Sequence, residues 1–386
     1  MNRSLLLLFS AVNLVIGTGA FIVTSILPQV AQALNVSVPA AGQAMTAYAV
    51  STALLAPLML ALTGAWPRRR ALVLALGLFV AGNAVCALAN NLTVLLLGRV
   101  LMGMGAMFTP IAAGIVVALT PPAQRGKSLA LVFLGISLSY VVGLPLGSWL
   151  AAHYGWHAPI AVVAAAGLLA CTAMAAFVPG DVQAPGGSFK GLGALLARAD
   201  VLAVLAITLC YFTAIFVVFS YIVPVLQALT PMSSGQLSVT LMLFGLSGVA
   251  GTLIGGYCND RFGAINSLTV QLLLLACTML VLPFTQGQWP MMLAVLLLWG
   301  TAGFGMMASQ QSRLAALAPA QAPVLLSLNT SMLYGGTALG AVLGGALGST
   351  VGFTNLSWVG APAALLALGV LRLGPRVPPR QSVALS

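Results

Sequence analysis

The sequence predicts an all-α membrane protein, with twelve transmembrane helices arranged as two pseudo-symmetric six-helix bundles. Three observations carry that expectation. Hydrophobic residues make up 61% of the 386-residue chain and charged residues 4%, so a water-soluble fold would have to expose large apolar patches. Apolar runs close to the roughly 20 residues that cross a bilayer recur along the chain, six on each side of a single long polar stretch. Basic residues, finally, collect in alternate loops.

In the first half the runs lie at about 5–27, 41–62, 71–90, 93–118, 128–150 and 158–178, each closed by a polar or Pro/Gly break such as "TGAWPRRR" or "TPPAQRGK". The first run is longer than a signal-peptide core and no polar mature region follows it, so it is expected to be a retained span. Further runs lie at about 200–223, 237–257, 266–285, 290–310, 323–349 and 356–373. Between the halves, "PGDVQAPGGSFKGLGALLARAD" concentrates glycine, proline and charge. The expected domains are therefore an N-terminal bundle at 1–178, a linker at 179–199, and a C-terminal bundle with a short basic tail at 200–386.

Placing the N-terminus in the cytoplasm puts Arg3, Arg68, Arg69, Arg70, Arg125, Lys127, Lys190, Arg198, Arg261, Arg313, Arg372, Arg376 and Arg380 on the inside. Only Arg99, embedded in "LLLGRVLMGMGAMF", falls outside that rule. The net charge of +11 is thus a topology signal with both termini cytoplasmic, and nucleic acid is not an expected partner. A repeat is also visible. Gly135, Ser139, Gly143, Gly147 and Ala151 recur at every fourth position of the fifth run, and Gly336, Gly340, Gly344, Gly348 and Gly352 do so in the eleventh. Small residues at that spacing make a flat stripe for close helix packing, and their matched places suggest two repeats about an axis along the membrane normal.

Chemistry that would support an enzyme is scarce. The chain has no glutamate, its acids Asp181, Asp200 and Asp260 lie in or beside cytoplasmic loops, and no carboxylate pair lies in the membrane. "HYGWH" offers two histidines, His153 and His157, but lacks the third ligand of a metal site, so interfacial residues around Trp156 are expected and no metal or other cofactor. Cys86, Cys171, Cys210, Cys258 and Cys277 are scattered singly and read as packing residues. The N-x-S/T matches at Asn35, Asn91 and Asn329 carry no weight in a bacterial-type membrane protein.

Three stretches resemble the major facilitator superfamily, and within it the twelve-helix bacterial drug and sugar efflux branch grouped as drug:proton antiporters. "GRVLMGMGA" resembles the family's R-x-x-x-G-x-G element through Arg99, Gly103 and Gly105. "GISLSYVVGLPLGSWL" is similar to the antiporter signature, with Gly135, Gly143, Pro145 and Gly147 in place. The G-x-x-x-D-R-x-G-R-R/K loop is split: "LTGAWPRRRAL" keeps Arg68, Arg69 and Arg70 without an aspartate, whereas "GGYCNDRFG" retains Asp260, Arg261 and Gly263. The resemblance implies that these loops latch the cytoplasmic ends of the bundles. It also implies alternating access to a central cavity, with Asn13, Phe21, Tyr48, Tyr140, Tyr211, Phe216 and Asn329 as its polar or aromatic lining.

One departure bears on coupling. Relatives carry an acid in the first helix within a stretch like G-x-x-E-F, whereas "GTGAFIVTS" has Ala20 before Phe21. A cavity without acids offers nothing to replace the water around an organic cation, so the expected cargo is a neutral or anionic small molecule, with protons as a candidate co-substrate. Arg99, about seven residues or roughly 10 Å into its helix, is expected to be held by neutral acceptors, either carbonyls of a neighbouring helix or Asn13, and by water in the cavity wall, available for an anionic group or for coupling. A monomer in the bacterial inner membrane completes the expectation. An uncoupled facilitator or uptake permease of the same fold is the near alternative, and a membrane-embedded enzyme or receptor the remote one.

Overall fold

The computed structural model describes residues 3–121, 124–180, 192–318 and 321–374, and every long element in them is a helix. The first half contains α1 (Arg3–Ser25), α2 (Val38–Leu62), α3 (Arg68–Ala87), α4 (Leu92–Leu119), α5 (Arg125–Tyr154) and α6 (His157–Phe177). The second contains α7 (Ala199–Phe219), α8 (Ser234–Phe262), α9 (Ala264–Thr285), α10 (Trp289–Leu317), α11 (Ala322–Val351) and α12 (Leu356–Leu373). Eleven of these spans are long and apolar enough to cross a membrane when described residues alone are counted, and α11, 30 residues long, is the twelfth. Most of the expected linker, with Asp181 and Lys190, and the tail with Arg376 and Arg380 lie outside the described residues.

Local chemistry sets several helix ends. Ser37 caps α2 by accepting from the Ala40 N–H, Asn91 caps α4 by accepting from Val94, and Ser233 and Gln236 form a reciprocal capping box at α8. Gly155, Gly263 and Gly352 stop α5, α8 and α11 at φ of 85°, 80° and 79°, a left-handed conformation that glycine adopts without strain. The single runs of the sequence are more broken than periodicity suggests. α4 is interrupted at Ala106 and Met107, and α1 and α7 are each followed by a short helix, Leu27–Ala33 and Ile222–Leu229. α5 carries one π-helical turn, Ser139–Gly143.

The two halves pack alike. α1 lies on α5 and α6, α2 on α4, and α3 on α4 and α6. In the second half α7 lies on α11 and α12, α8 on α10, and α9 on α10 and α12, which is the same scheme shifted by six helices. The glycine stripes explain the first contact in each set. A Cβ at Gly135 would overlap the Ser10 carbonyl of α1, and one at Gly143 would overlap the Thr18 side chain. On α11, Gly336, Gly340 and Gly344 meet the backbone of α7 at Leu209, Thr213 and Val217. Two seams join the bundles, α2 on α11 and α5 on α8, and these exchange under the same shift.

Candidate functional site

The end of the molecule carrying Arg68–Arg70, Arg125 and Arg261 is called the basic end below, and the opposite one the far end. At the far end the bundles are sealed. Tyr221, fully buried, reaches from the end of α7 so that a Cβ at Gly42 of α2 would strike its ring, and its hydroxyl donates to the Ala341 carbonyl of α11 at 3.0 Å. The short helices Leu27–Ala33 and Ile222–Leu229 also touch there. Toward the basic end the α5–α8 seam thins: α8 packs on Leu144–Tyr154 and the π turn but only sparsely on Arg125–Leu138. Gly114 of α4 faces open space, and Leu7 of α1 and Val117 of α4 are exposed.

At mid-depth an aromatic cluster spans both bundles. Phe21 of α1 stacks on Tyr140 of α5 with centroids 5.0 Å apart and lies 6.0 and 5.9 Å from Phe216 and Phe219 of α7. Tyr140 meets Phe304 of α10 edge-on at 4.8 Å, and Tyr48 of α2 meets Tyr334 of α11 at 6.1 Å. Phe244 and Trp299 extend the cluster into the C-terminal bundle as a stacked pair at 5.3 Å. Of the expected lining, Phe21, Tyr48, Tyr140 and Phe216 meet here. Tyr211 instead turns into its own bundle, donating to the Gly303 carbonyl. Tyr140 owes its place to the π turn: Pro145 has no N–H to return to the Val141 carbonyl, and the turn absorbs that gap.

Asn13 and Asn329, expected in the cavity lining, are bonded inside their own bundles. Asn13 is fully buried, its amide donating to the Val132 carbonyl of α5 at 3.0 Å and its oxygen accepting from Thr109 of α4 at 2.8 Å. Asn329 of α11, 2% exposed, accepts from Thr208 of α7 at 2.6 Å, and Gln310 of α10 donates to Thr208 at 2.9 Å. Each half thus ties its first, fourth and fifth helices together at one polar node.

Arg99 is held within its own bundle as well. Its side chain is 1% exposed and sits inside the N-terminal bundle, not in a cavity wall and not against Asn13. Nε donates to Ala44 O of α2 at 3.1 Å, Nη1 to Gly19 O at 2.8 Å and Nη2 to Ala20 O at 2.5 Å, both of α1. Its Cζ stands 4.7 Å from the Tyr48 ring centroid, within cation–π range. Gly103 brings α2 this close, since a Cβ there would press on the Tyr48 carbonyl, and Gly105 lets α3 approach the same helix at Ala75. The guanidinium is therefore saturated by neutral acceptors, and it clamps α1 to α2.

The loop residues are arranged unequally. Arg68, 3% exposed, donates to the Gly64 carbonyl at 2.9 Å, while Arg69 and Arg70 edge an open groove of about 590 Å³ with Pro67, Val73, Leu74 and Gly180. Asp260 is exposed and accepts from Asn259 at 3.1 Å, and Asn259 in turn accepts from Ser312 of α10 at 2.9 Å. Arg261 lies over the Phe262 ring at 5.8 Å, and Gly263 makes the turn into α9. His153 and His157 bond the carbonyls of Trp149 and Ala89 and stack on Trp149 and Trp156. Tyr221, Phe219, Phe304, Tyr334 and Arg313 are site candidates that sequence reasoning missed. Aromatics in apolar runs serve packing and gating alike, so only the pairing across the seams distinguishes them.

Comparison with known proteins agrees with this architecture. The family model described as Major Facilitator Superfamily matches residues 9–325. The chain is 30% identical over 365 residues to the MFS-type transporter YbcL of Bacillus subtilis, covering 94% of this chain and 93% of that protein. To the inner membrane transport protein YdhP of Escherichia coli K12 it is 31% identical over 368 residues, covering 94% of each. Among solved structures, that of a D-xylose–proton symporter superposes with a TM-score of 0.81 at 16% identity, covering 97% of this chain and 98% of that one.

Proposed function

The chain belongs to the major facilitator superfamily of secondary transporters, which work by alternating access, and from that premise we propose that it exports a small neutral or anionic organic solute from the cytoplasm. The observation that carries the reading is the asymmetry of the two ends: the bundles are sealed by Tyr221 at one, the α5–α8 seam thins toward the other, and an aromatic cluster lies between. The basic end is assigned to the cytoplasm of a bacterial inner membrane, because basic residues are retained there. The described state then faces inward, ready to load solute beneath Phe21, Tyr140 and Phe304.

Charge selects the solute class. The described carboxylates, Asp200 and Asp260, sit within a turn of the basic ends of α7 and α8, and Asp200 is already paired with Arg198 at 2.7 Å. A bare organic cation at mid-depth would lose its water and gain no counter-charge. A sugar, a nucleoside-like metabolite or an uncharged drug can instead use the Tyr48, Tyr140 and Tyr334 hydroxyls and the ring faces. Protons are the proposed co-substrate, with the drug:proton antiporter branch as the nearest pattern. The absence of any described Asp, Glu or His at mid-span favours a second reading, passage without a coupled ion.

Counterflow of a solute panel in proteoliposomes at two pH values tests both. Exchange of neutral or anionic solutes that accelerates with an imposed proton gradient is the expected outcome. Gradient-independent exchange selects the uncoupled reading, and preferential movement of cationic dyes overturns the solute class.

A further inference from the structure

Arg313 lies on α10, four residues before the helix ends at Leu317 and so about 6 Å from its basic end at 1.5 Å per residue. Its side chain is 7% exposed, and both Nε and Nη1 are buried without a hydrogen-bond partner. No other charged side chain among the described residues has buried nitrogens left in that condition. Arg99 supplies the contrast, because an arginine buried even more deeply has every nitrogen on a carbonyl. A snorkelling arginine would keep its head in water, whereas this one has been drawn into the bundle. Neither described carboxylate comes to it: Asp200 is held by Arg198, and Asp260 is exposed beside Asn259.

The unpaired atoms are not confined to the guanidinium. Ser309, one turn back on the same face of α10, has an unpartnered buried Oγ, and Gln310 an unpartnered Oε1 although its nitrogen is anchored to Val204 and Thr208. Buried polar groups are ordinarily satisfied, so Ser309 and Gln310, orphaned four and three residues before an unpaired arginine and thus on its helix face, describe a site for something else.

We propose that Arg313, Ser309 and Gln310 form a binding site for a phosphate-type oxyanion at the basic end of the C-terminal bundle, separate from the central aromatic cluster. The Arg313 N–H groups and the Ser309 hydroxyl donate to the oxyanion, and a protonated oxygen of it donates to Gln310 Oε1. A carboxylate offers acceptors alone and leaves Gln310 unmet, whereas a hydrogenphosphate carries both kinds of atom. The depth of the site admits either inorganic phosphate from the aqueous side or the phosphate of an anionic lipid, whose glycerol hydroxyls supply the donor. The site acts as the missing counter-ion of Arg313 whatever solute the transporter moves.

Thermal unfolding of the purified full chain, with sodium phosphate titrated against sodium chloride at equal ionic strength, tests this. The wild type is expected to show a saturable rise of several degrees with phosphate. Arg313→Gln abolishes it, and Arg372→Gln, at an exposed residue of the same end, retains it. Ser309→Asp places a carboxylate four residues before Arg313. That variant is expected to unfold at a higher temperature without phosphate and to respond to it no further, which decides the matter even where Arg313→Gln fails to fold. Nanodiscs of phosphatidylcholine with or without phosphatidylglycerol, free of inorganic phosphate, identify the source: stabilisation by phosphatidylglycerol that Ser309→Asp removes assigns the lipid, and stabilisation by inorganic phosphate alone assigns the soluble ion. A wild type that responds to neither, a phosphate response equal to that of chloride, or one unchanged in Ser309→Asp overturns the proposal.

Discussion

Arg99 shows how much a single embedded charge depends on backbone geometry. Three carbonyls on two helices converge on it, and lysine, with a compact ammonium in place of a planar fork, cannot reach all three. Arg99→Lys is therefore expected to insert normally and yet move solute several-fold more slowly in the counterflow assay, because α1 is no longer clamped to α2. Arg99→Ala goes further. Empty space replaces the guanidinium, three buried carbonyls lose their donor and the Tyr48 contact is lost, so a destabilisation of roughly 2–5 kcal/mol is expected, read as a fall in unfolding temperature. Unchanged stability in Arg99→Ala would show that the carbonyls do not need the guanidinium.

Among the elements, α5 is where sequence signature and mechanics meet. Gly135 lies so close to Ser10 that any side chain must push α1 away, whereas Gly126, on the same helix, has no atom near it. Gly135→Val is expected to abolish transport and lower the yield of folded protein, and Gly126→Ala to leave both unchanged; equal effects would remove the packing argument. Pro145 has the opposite character. Pro145→Ala restores a backbone donor for the Val141 carbonyl, which allows the π turn to relax into α-helix and carries Tyr140 out of register with Phe21 and Phe304. The expected result is equal or higher thermal stability with slower transport, a split that simple destabilisation would not produce.

For the whole molecule, the seal at the far end is the feature expected to hold one state. Tyr221 from one bundle fills the notch left by Gly42 on the other and hydrogen-bonds α11 through Ala341. Tyr221→Ala removes both, and the equilibrium between end-closed states should shift toward opening at that end. A cysteine introduced at Gly345, beside the Tyr221 hydroxyl, is expected to react with an external membrane-impermeant maleimide several-fold faster in the Tyr221→Ala background. Equal labelling would mean that the seal lies elsewhere. Among the described residues no ion pair joins the two bundles at the basic end: Asp260 lies at the α8 end of one seam, while the loop before α3 carries arginines beside the other.

The twelve helices, the repeat and the likeness to a transporter family were legible in the sequence. Hydropathy, charge placement and glycine spacing are local quantities, and a bilayer converts them directly into spans and stripes. The interruption of α4 and the π turn were not, since broken and unbroken apolar runs read alike. Function at the residue level depended on direction. Asn13, Asn329 and Arg99 looked like cavity residues because polar groups in apolar runs must be satisfied by something, but sequence does not reveal whether a carbonyl, a helix neighbour or a solute does so. Tyr221 carried no signal in the sequence, and Arg313 read as one cytoplasmic arginine among many. Only tertiary packing showed that one fills a notch in the opposite bundle and that the other is buried with its nitrogens unpaired, because both facts concern atoms far apart along the chain.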